Sequence, residues 1–274
     1  MKKVILYLLI LLIAGACKKN SEPTPVPLVS RVTADGAVAY KFFYNASNQL
    51  TKWELYSYDS PGDPLTLVYD FTYDNKGKLA ELISHRYPGN IPESRLFFEY
   101  NNLGKIIGHE FYDLQGADPS KPWRWGVYQY SATGLLSSVT MKDKDGKLDT
   151  RYNLSYYDDG TLKQRDAYQE TVTNQLRLTS RTIYSVPLAG GIKGWQAITV
   201  IPLDGDEITR TVRYDAIQRY EYNNGVLTWN VSELVSAREY NTDETLKRHV
   251  FTRKRILPAH EDVVMNWEFE YIQQ

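Results

Sequence analysis

Apolar and polar residues alternate along much of the chain. In the segment Leu65–Tyr73, the odd-numbered residues are Leu, Tyr and Phe, while the even-numbered residues are Thr, Asp and a single Val. Each set of alternate residues is called a parity, and the side chains of one parity lie on one face of the strand. Residues 148–156 and 263–271 repeat this arrangement. A period of two is typical of an antiparallel strand with one face on a core and the other in water. No segment beyond residue 16 shows a helical period, so the pattern predicts an all-β domain.

The predicted strands are joined by a turn that recurs along the chain. Its clearest copy is Tyr73-Asp74-Asn75-Lys76-Gly77-Lys78-Leu79. An Asp can accept hydrogen bonds from the backbone that follows it, and a Gly supplies the positive φ at which the chain rejoins its partner strand. Copies of equal length, and copies one residue shorter, place a tyrosine before a glycine in the pairs Tyr100 and Gly104, Tyr130 and Gly134, Tyr157 and Gly160, and Tyr222 and Gly225. We interpret these residues as structural turns.

The tyrosines that open these turns recur 27–30 residues apart, at positions 44, 73, 100, 130, 157 and 184. A period near 28 accommodates two strands of about 8–10 residues and two turns. Eight such hairpins predict about 16 strands in an antiparallel up-and-down meander, with every tyrosine turn at one end. Beyond Tyr184 two registers remain open: either Tyr214 and Tyr240 continue the period, or Tyr222 carries the turn.

A meander of this size can close on itself. A round barrel of about 16 strands has a lumen too wide for side chains to fill. We therefore predict a flattened barrel or a sheet that packs on itself. In the alternative, a transmembrane barrel, the apolar parity would face lipid. The non-aromatic end Tyr271-Ile272-Gln273-Gln274 and the predicted lipid anchor described below disfavour that alternative.

The N-terminus has the features of a targeting segment. Two lysines precede an apolar run over residues 4–13, which is shorter than the roughly 20 residues of a spanning helix. The following Ala14-Gly15-Ala16-Cys17 contains the only cysteine and resembles a bacterial lipobox. That resemblance implies that residues 1–16 are a signal peptide and that Cys17 is acylated. The alternative is an ordinary secretory signal.

Composition limits the partners of the chain. Residues 17–29 contain three prolines and are typical of an extended tether, so that residues 30–274 form a single β-repeat domain. The formal net charge of −1 gives no electrostatic basis for binding nucleic acid. We expect a bacterial cell-envelope protein, held by its lipid at the outer membrane, with no other membrane contact.

Motifs for catalysis, metals and cofactors are missing from the sequence. His109-Glu110 lacks the second His of a zinc-protease helix, and we interpret it as part of a surface strand. His260-Glu261-Asp262 is typical of a solvated turn. Asp143-Lys144-Asp145-Gly146 lacks the downstream Glu of a calcium loop and fits a bulged hairpin turn. We predict no catalytic residue, no metal site and no cofactor.

The loops opposite the tyrosine turns are longer and more variable, notably residues 59–64, 88–94 and 114–122. Scaffolds usually place function on such loops. Trp123, Arg124 and Trp125 follow the longest of them, and alternation predicts that the two indoles share a face. Facing outward, they would form a platform for sugar rings or a protein partner; facing inward, they would belong to the core.

The Tyr-Asp/Asn-x-x-Gly-x-Leu turns resemble the YD repeats of RHS-type proteins. Together with the signal and tether, they also resemble an uncharacterised family of bacterial envelope lipoproteins with a porin-like fold. These resemblances imply a fold and a compartment but no catalytic residue. We therefore expect a non-enzymatic scaffold that binds a glycan or a protein through its variable rim. The alternatives are a polysaccharide hydrolase with an unrecognised carboxylate pair and a purely structural component.

Overall fold

The computed structural model describes residues 27–57, 64–171, 175–185, 214–259 and 261–272. The predictions on residues 1–16, on Cys17, on most of the tether, on loop residues 59–63 and on His260 lie outside these ranges. Within them the chain forms strands and no helix that is long and apolar enough to cross a membrane. The strands are β1 Leu28–Ala34, β2 Ala37–Tyr44, β3 Leu50–Tyr56, β4 Leu65–Tyr73, β5 Leu79–Arg86, β6 Ile91–Tyr100, β7 Ile106–Asp113, β8 Arg124–Tyr130, β9 Leu136–Asp143, β10 Leu148–Tyr156, β11 Leu162–Glu170, β12 Leu176–Tyr184, β13 Ala216–Asn223, β14 Val226–Tyr240, β15 Leu246–Leu257 and β16 Val263–Ile272.

The sixteen strands form one closed antiparallel barrel. Each strand pairs with its neighbours in sequence, and β1 closes the sheet against β16, with Val32 opposite Phe269. The prediction of an all-β meander of about 16 strands is confirmed, and of the two predicted arrangements, a barrel or a sheet packed on itself, the structure shows the barrel. The first strand begins at Leu28, two residues before the predicted domain boundary.

The apolar parity of the strands faces the interior. The largest core cluster joins β1–β5 to β14–β16 across the closure, and it includes the buried rings of Phe42, Trp53, Phe71, Phe251 and Trp267. The opposite parity carries paired charges, such as Arg95 with Glu81 at 3.0 Å and Arg31 with Glu270 at 3.3 Å. Burial of the inward parity is the main stabilising term, because surface ion pairs contribute little.

Tight turns follow β2, β4, β6, β8, β10 and β14 and lie together at one rim, the tyrosine rim. In the turn after β4, the N–H of Asp74 bonds the Lys78 carbonyl at 2.8 Å, and Gly77 N–H bonds the Asp74 carbonyl at 3.0 Å. The Asp74 carboxylate accepts the N–H groups of Lys78 and Lys76, which lowers its pKa. The glycines at this position have φ near +80°, namely 75° at Gly77, 78° at Gly104, 83° at Gly134 and 82° at Gly160.

The turn before β11 has full length, contrary to the shorter copy predicted from Tyr157. Here Tyr157 N–H bonds the Thr161 carbonyl at 2.8 Å, and Gly160 N–H bonds the Tyr157 carbonyl at 2.9 Å. Tyr157 therefore occupies the position of Asp74, and Tyr156 that of Tyr73. Tyr156 and Tyr157 fit the sequence pattern of the turn equally well, and the strand pairing shows that Tyr156 is the one that opens the turn.

Beyond Tyr184, the structure supports the predicted turn after Tyr240, whereas Tyr214 precedes strand β13 and not a turn. The turn after Tyr240 has the tyrosine-rim geometry, since Asn241 N–H bonds the Thr245 carbonyl at 2.9 Å. The turn after Tyr222 is a two-residue Asn224-Gly225 hairpin, with φ of 52° and 81°, at the opposite rim. Asn-Gly favours a hairpin wherever it occurs. Which rim the Asn-Gly hairpin occupies depends on whether an odd or an even number of strands precedes it in the barrel.

The tyrosine hydroxyls link consecutive hairpins around this rim. Each hydroxyl donates to a backbone carbonyl at the start of the preceding strand, and Lys105 adds a contact by donating to the Gly134 carbonyl at 2.8 Å. The hydroxyl bonds are Tyr44 to Val29 at 2.7 Å, Tyr73 to Leu50 at 2.8 Å, Tyr100 to Leu79 at 2.8 Å, Tyr130 to Ile106 at 2.7 Å, Tyr156 to Leu136 at 2.7 Å and Tyr271 to Leu246 at 2.9 Å.

Candidate functional site

The interior contains a cavity of about 510 Å³ beneath the inward faces of β3–β9. We call it the aromatic cavity. It extends from mid-barrel towards the rim opposite the tyrosine turns, the variable rim. Its aromatic wall consists of Trp53, Tyr69, Phe98, Phe111 and Tyr128, and its mouth is formed by Glu93, Asp113, Trp123 and Arg124. A space of this size, largely apolar with a few polar groups, is typical of a small-molecule site.

His109 and Tyr128 form a buried polar pair in this wall. The His109 Nδ1 lies 2.9 Å from the Tyr128 hydroxyl, and the rings meet edge to face with centroids 5.6 Å apart. Both residues are buried. The prediction that His109 lies on the surface is wrong, because it shares the inward parity of Phe111 on β7.

Gly126 makes room for that pair. It lies opposite His109 in the β7–β8 register. A Cβ at this position would lie 2.3 Å from the His109 Cε1. Such a contact is impossible without displacement of the ring or the strand. The glycine therefore permits the imidazole to lie flat against the wall and reach Tyr128.

Other polar groups of the cavity could bind a ligand. The indole N–H of Trp53 is buried and makes no hydrogen bond within the part of the chain that the structure describes. Ser84 and Ser94 share a hydroxyl–hydroxyl hydrogen bond of 2.7 Å, and each keeps further bonding capacity. A buried donor without a partner destabilises the fold by about 1–3 kcal/mol, and a ligand acceptor would remove that penalty.

The mouth of the cavity is built around Arg124. Its Nε lies 3.0 Å from the Asp149 Oδ2, and its guanidinium stacks 4.1 Å from the centroid of the Trp123 ring. That ring lies 6.0 Å from Phe111, and Trp123 remains 42% exposed. The carboxylate fixes the guanidinium, and the guanidinium and Phe111 hold the indole at the opening.

Trp125 lies on the outer face of the barrel. It pairs with Glu110 and Lys142 and borders an outward groove with Phe97 and Val127. The expectation that both indoles share a face is wrong. The β7–β8 register ends at Phe111–Arg124, so Trp123 lies beyond the last pair and is not bound by the strand's alternation. Of the three predicted site residues, Trp123 and Arg124 border the aromatic cavity and Trp125 does not.

Of the remaining candidate motifs, residues 143–146 form a turn in this structure. Asp143 N–H bonds the Lys147 carbonyl at 2.9 Å, and Gly146 has φ of 80°, so the bulged-turn interpretation of residues 143–146 is confirmed. Asp262 lies 3.5 Å from Lys254. Among the described residues, no group of three or more His, Cys, Asp or Glu side chains could hold a metal ion.

Sequence reasoning missed most of the cavity wall. Alternation shows that Trp53, Phe98 and Phe111 share an inward parity within their own strands. It does not show that three strands so far apart in sequence border one space. Only the curvature of the closed sheet brings them together.

Comparison with solved structures supports the fold. A porin-like protein from Bacteroides uniformis is 14% identical, covers 92% of this chain and 100% of its own, and superposes with a TM-score of 0.50. A porin-like protein from Bacteroides vulgatus is 13% identical over 89% of this chain and 99% of its own, with a TM-score of 0.41. No family model and no curated relative matches the chain.

Proposed function

We propose that this protein is a non-enzymatic cell-envelope lipoprotein whose barrel binds a glycan in the aromatic cavity. The observation that carries this proposal is a concave space of about 510 Å³ with an aromatic wall and a mouth at the variable rim. A closed barrel of sixteen strands has the diameter to hold a ligand inside, in contrast to smaller barrels that their side chains fill.

The chemistry of the cavity suits a sugar. A pyranose ring has apolar C–H faces that pack on aromatic rings, and hydroxyls around its edge that need hydrogen-bond partners. Trp123 offers a half-exposed ring at the entrance. Further inside, the Trp53 N–H, the hydroxyls of Ser84 and Ser94 and the Tyr128 hydroxyl supply donors and acceptors. A protein partner would contact the rim but would leave these buried groups unused.

The envelope location rests on three features. The lipobox-like segment ending at Cys17 supports a lipid anchor, and the tether would hold the barrel off the bilayer. The porin-like fold is compatible with an outer-membrane setting. The charged outward parity favours a barrel exposed to water, because a lipid-facing wall needs an apolar band. The tyrosine turns retain their resemblance to YD repeats, which adds nothing about the ligand.

One arrangement bears on the hydrolase alternative. Glu93 and Asp113 both line the mouth of the aromatic cavity, and glycosidases act with two carboxylates. However, Glu93 forms an ion pair with Arg86, and Asp113 accepts the N–H of Gln115 at 3.0 Å. Because both carboxylates are held by these contacts, they are better suited to orienting a sugar hydroxyl than to transferring protons.

The proposal is tested by calorimetry and thermal melts with a panel of neutral oligosaccharides. Trp123→Ala should weaken saturable binding by about 1–3 kcal/mol and leave the melting temperature nearly unchanged. Trp125→Ala is the matched control, because it removes an indole two residues away on the outer face, and it should bind like the wild type. Equal losses in the two variants, or no saturable binding, would refute the site. Turnover of a bound glycan would assign the hydrolase function instead.

A further inference from the structure

A second cavity of about 370 Å³ lies on the inward faces of β13–β15, near the variable rim. We call it the arginine pocket. It shares no lining residue with the aromatic cavity. Its polar lining consists of Arg219, Arg253, Arg255, Glu233 and Glu261, and Trp229 adds an aromatic ring.

The strand register explains why the arginines converge. Arg253 and Arg255 are two residues apart on β15 and therefore share its inward parity. Arg255 lies opposite Val231 on β14, and Val231 lies opposite Arg219 on β13. The two strands that flank β14 thus direct three guanidinium groups into the same space. Inward arginines are costly in a packed core, but here they border an opening at the rim.

Glu233 shows that this pocket already holds a carboxylate. It is 3% exposed, and its Oε1 lies 2.8 Å from both Nε and Nη2 of Arg253. Its Oε2 lies 3.4 Å from Nη2 of Arg219. A buried carboxylate is stable only when it is paired in this way. Arg219 and Arg253 are therefore partly neutralised by one internal anion.

Arg255 has a different position. It is exposed at the outer end of the pocket, and within the described ranges no acceptor pairs with its guanidinium. The lining has three positive charges against the two carboxylates of Glu233 and Glu261, which leaves an excess of one positive charge. A concave site with this excess attracts a small anion. A guanidinium presents a planar fork that matches a carboxylate in a bidentate manner.

We propose that the arginine pocket binds a monoanionic ligand that carries a carboxylate on a ring, such as a sugar acid. The carboxylate would pair with Arg255, and the ring would pack against the half-buried Trp229. A single excess charge matches a carboxylate better than the more highly charged phosphate. This inference does not rest on the glycan proposal, since the two cavities have separate linings.

The test is calorimetry of the full chain with glucuronate, glucose and inorganic phosphate at one ionic strength. Glucuronate should bind saturably, and Arg255→Gln should raise its Kd at least tenfold. Lys254→Gln is the matched control, because it removes the same charge from the adjacent residue, whose side chain has the opposite parity and pairs with Asp262. Arg255→Lys keeps the positive charge but lacks the planar guanidinium, so its Kd for glucuronate should lie between those of the wild type and Arg255→Gln.

Several results would overturn the proposal. Equal glucuronate affinity in Arg255→Gln and Lys254→Gln would remove the site, and phosphate binding as tight as glucuronate would remove the carboxylate assignment. An unchanged affinity in Trp229→Leu would remove the ring contact. Trp123→Ala separates this outcome from the glycan proposal, since it should alter neutral oligosaccharide binding and leave glucuronate binding at the arginine pocket intact.

Discussion

The hydroxyl of Tyr73 donates a 2.8 Å hydrogen bond to the carbonyl of Leu50, the first residue of the preceding strand. The bond joins the hairpin of β4 and β5 to the hairpin of β2 and β3. Leu50 is almost fully buried, so water cannot replace the lost donor. The repeating tyrosine is therefore a connector between hairpins as well as the start of a turn.

Removing this hydroxyl should destabilise the barrel. We expect Tyr73→Phe to lower the free energy of unfolding by about 1–3 kcal/mol, because the Leu50 carbonyl loses its donor in a buried setting. Tyr220→Phe is the control, since its hydroxyl bonds Gln218 on the exposed face and its loss should cost less than about 0.5 kcal/mol. Denaturant titrations of both variants measure the difference, and equal effects would contradict the connector role.

The connected tyrosines predict a loss of stability in alkali. Burial, and to a lesser degree the neighbouring Tyr100, raise the pKa of Tyr73 to about 12. Burial likewise raises the pKa of Tyr100, Tyr130 and Tyr156. An unfolded tyrosine ionises near pH 10, so between about pH 10 and 12 the unfolded state binds fewer protons than the folded state. The contribution of these phenols to stability should be constant below about pH 9 and should decrease above pH 10.

Denaturant titrations at a series of pH values, together with tyrosinate absorbance, check this dependence. The decrease should be shallower in Tyr73→Phe, which lacks one of the shifted groups. Stability that stays constant up to about pH 12 would show that these phenols titrate as they do in the unfolded chain.

The tyrosine-rim turn after β14 has a non-glycine residue at positive φ, which allows a reciprocal exchange with the turn after β10. Glu244, with φ of 69°, occupies the place that Gly160 holds, with φ of 82°, in another copy of the turn. A side chain in this conformation costs about 1–2 kcal/mol. Glu244→Gly should therefore raise the stability by up to about 1 kcal/mol, and Gly160→Glu should lower it by about 1–2 kcal/mol. Changes of the same sign in both variants would be inconsistent with equivalent turns.

The cavity wall predicts a non-additive pair of substitutions. Gly126→Ala should destabilise by about 1–3 kcal/mol, because its Cβ would collide with the His109 ring. His109→Ala removes that ring and the hydrogen bond to Tyr128. In the double variant the collision is absent, so Gly126→Ala should then cost much less. A double-mutant cycle measures this coupling, and additive effects would show that the two residues do not share the space.

The envelope proposal predicts the fate of Cys17. Cys17→Ala should abolish lipid labelling and block removal of residues 1–16, since no other cysteine exists in the chain. A chain that lacks residues 1–17 should be recovered from aqueous buffer without detergent, because the outward parity is charged. Mass spectrometry of the native N-terminus and fractionation of the truncated chain check these outcomes. An unmodified Cys17 in the mature protein would remove the anchor.

Local chemistry determined much of this fold. Alternation over segments such as Leu65–Tyr73 predicted strands with one buried face, and Gly77 with Asp74 predicted the turn. Both signals depend on residues within a few positions of one another. The sequence therefore determined the all-β class, the approximate number of strands and the position of most of the turns.

Only the tertiary structure decided what these strands enclose. Closure pairs Val32 with Phe269, and no local pattern encodes a contact between residues so far apart. The pairing of β7 with β8 ends at Arg124, so Trp123 lies at the mouth of the cavity while Trp125, within the strand, faces outward. The convergence of Arg219 and Arg255 likewise depends on the register of three strands. These features depend on pairing and curvature of the whole sheet, which a single stretch of sequence does not specify.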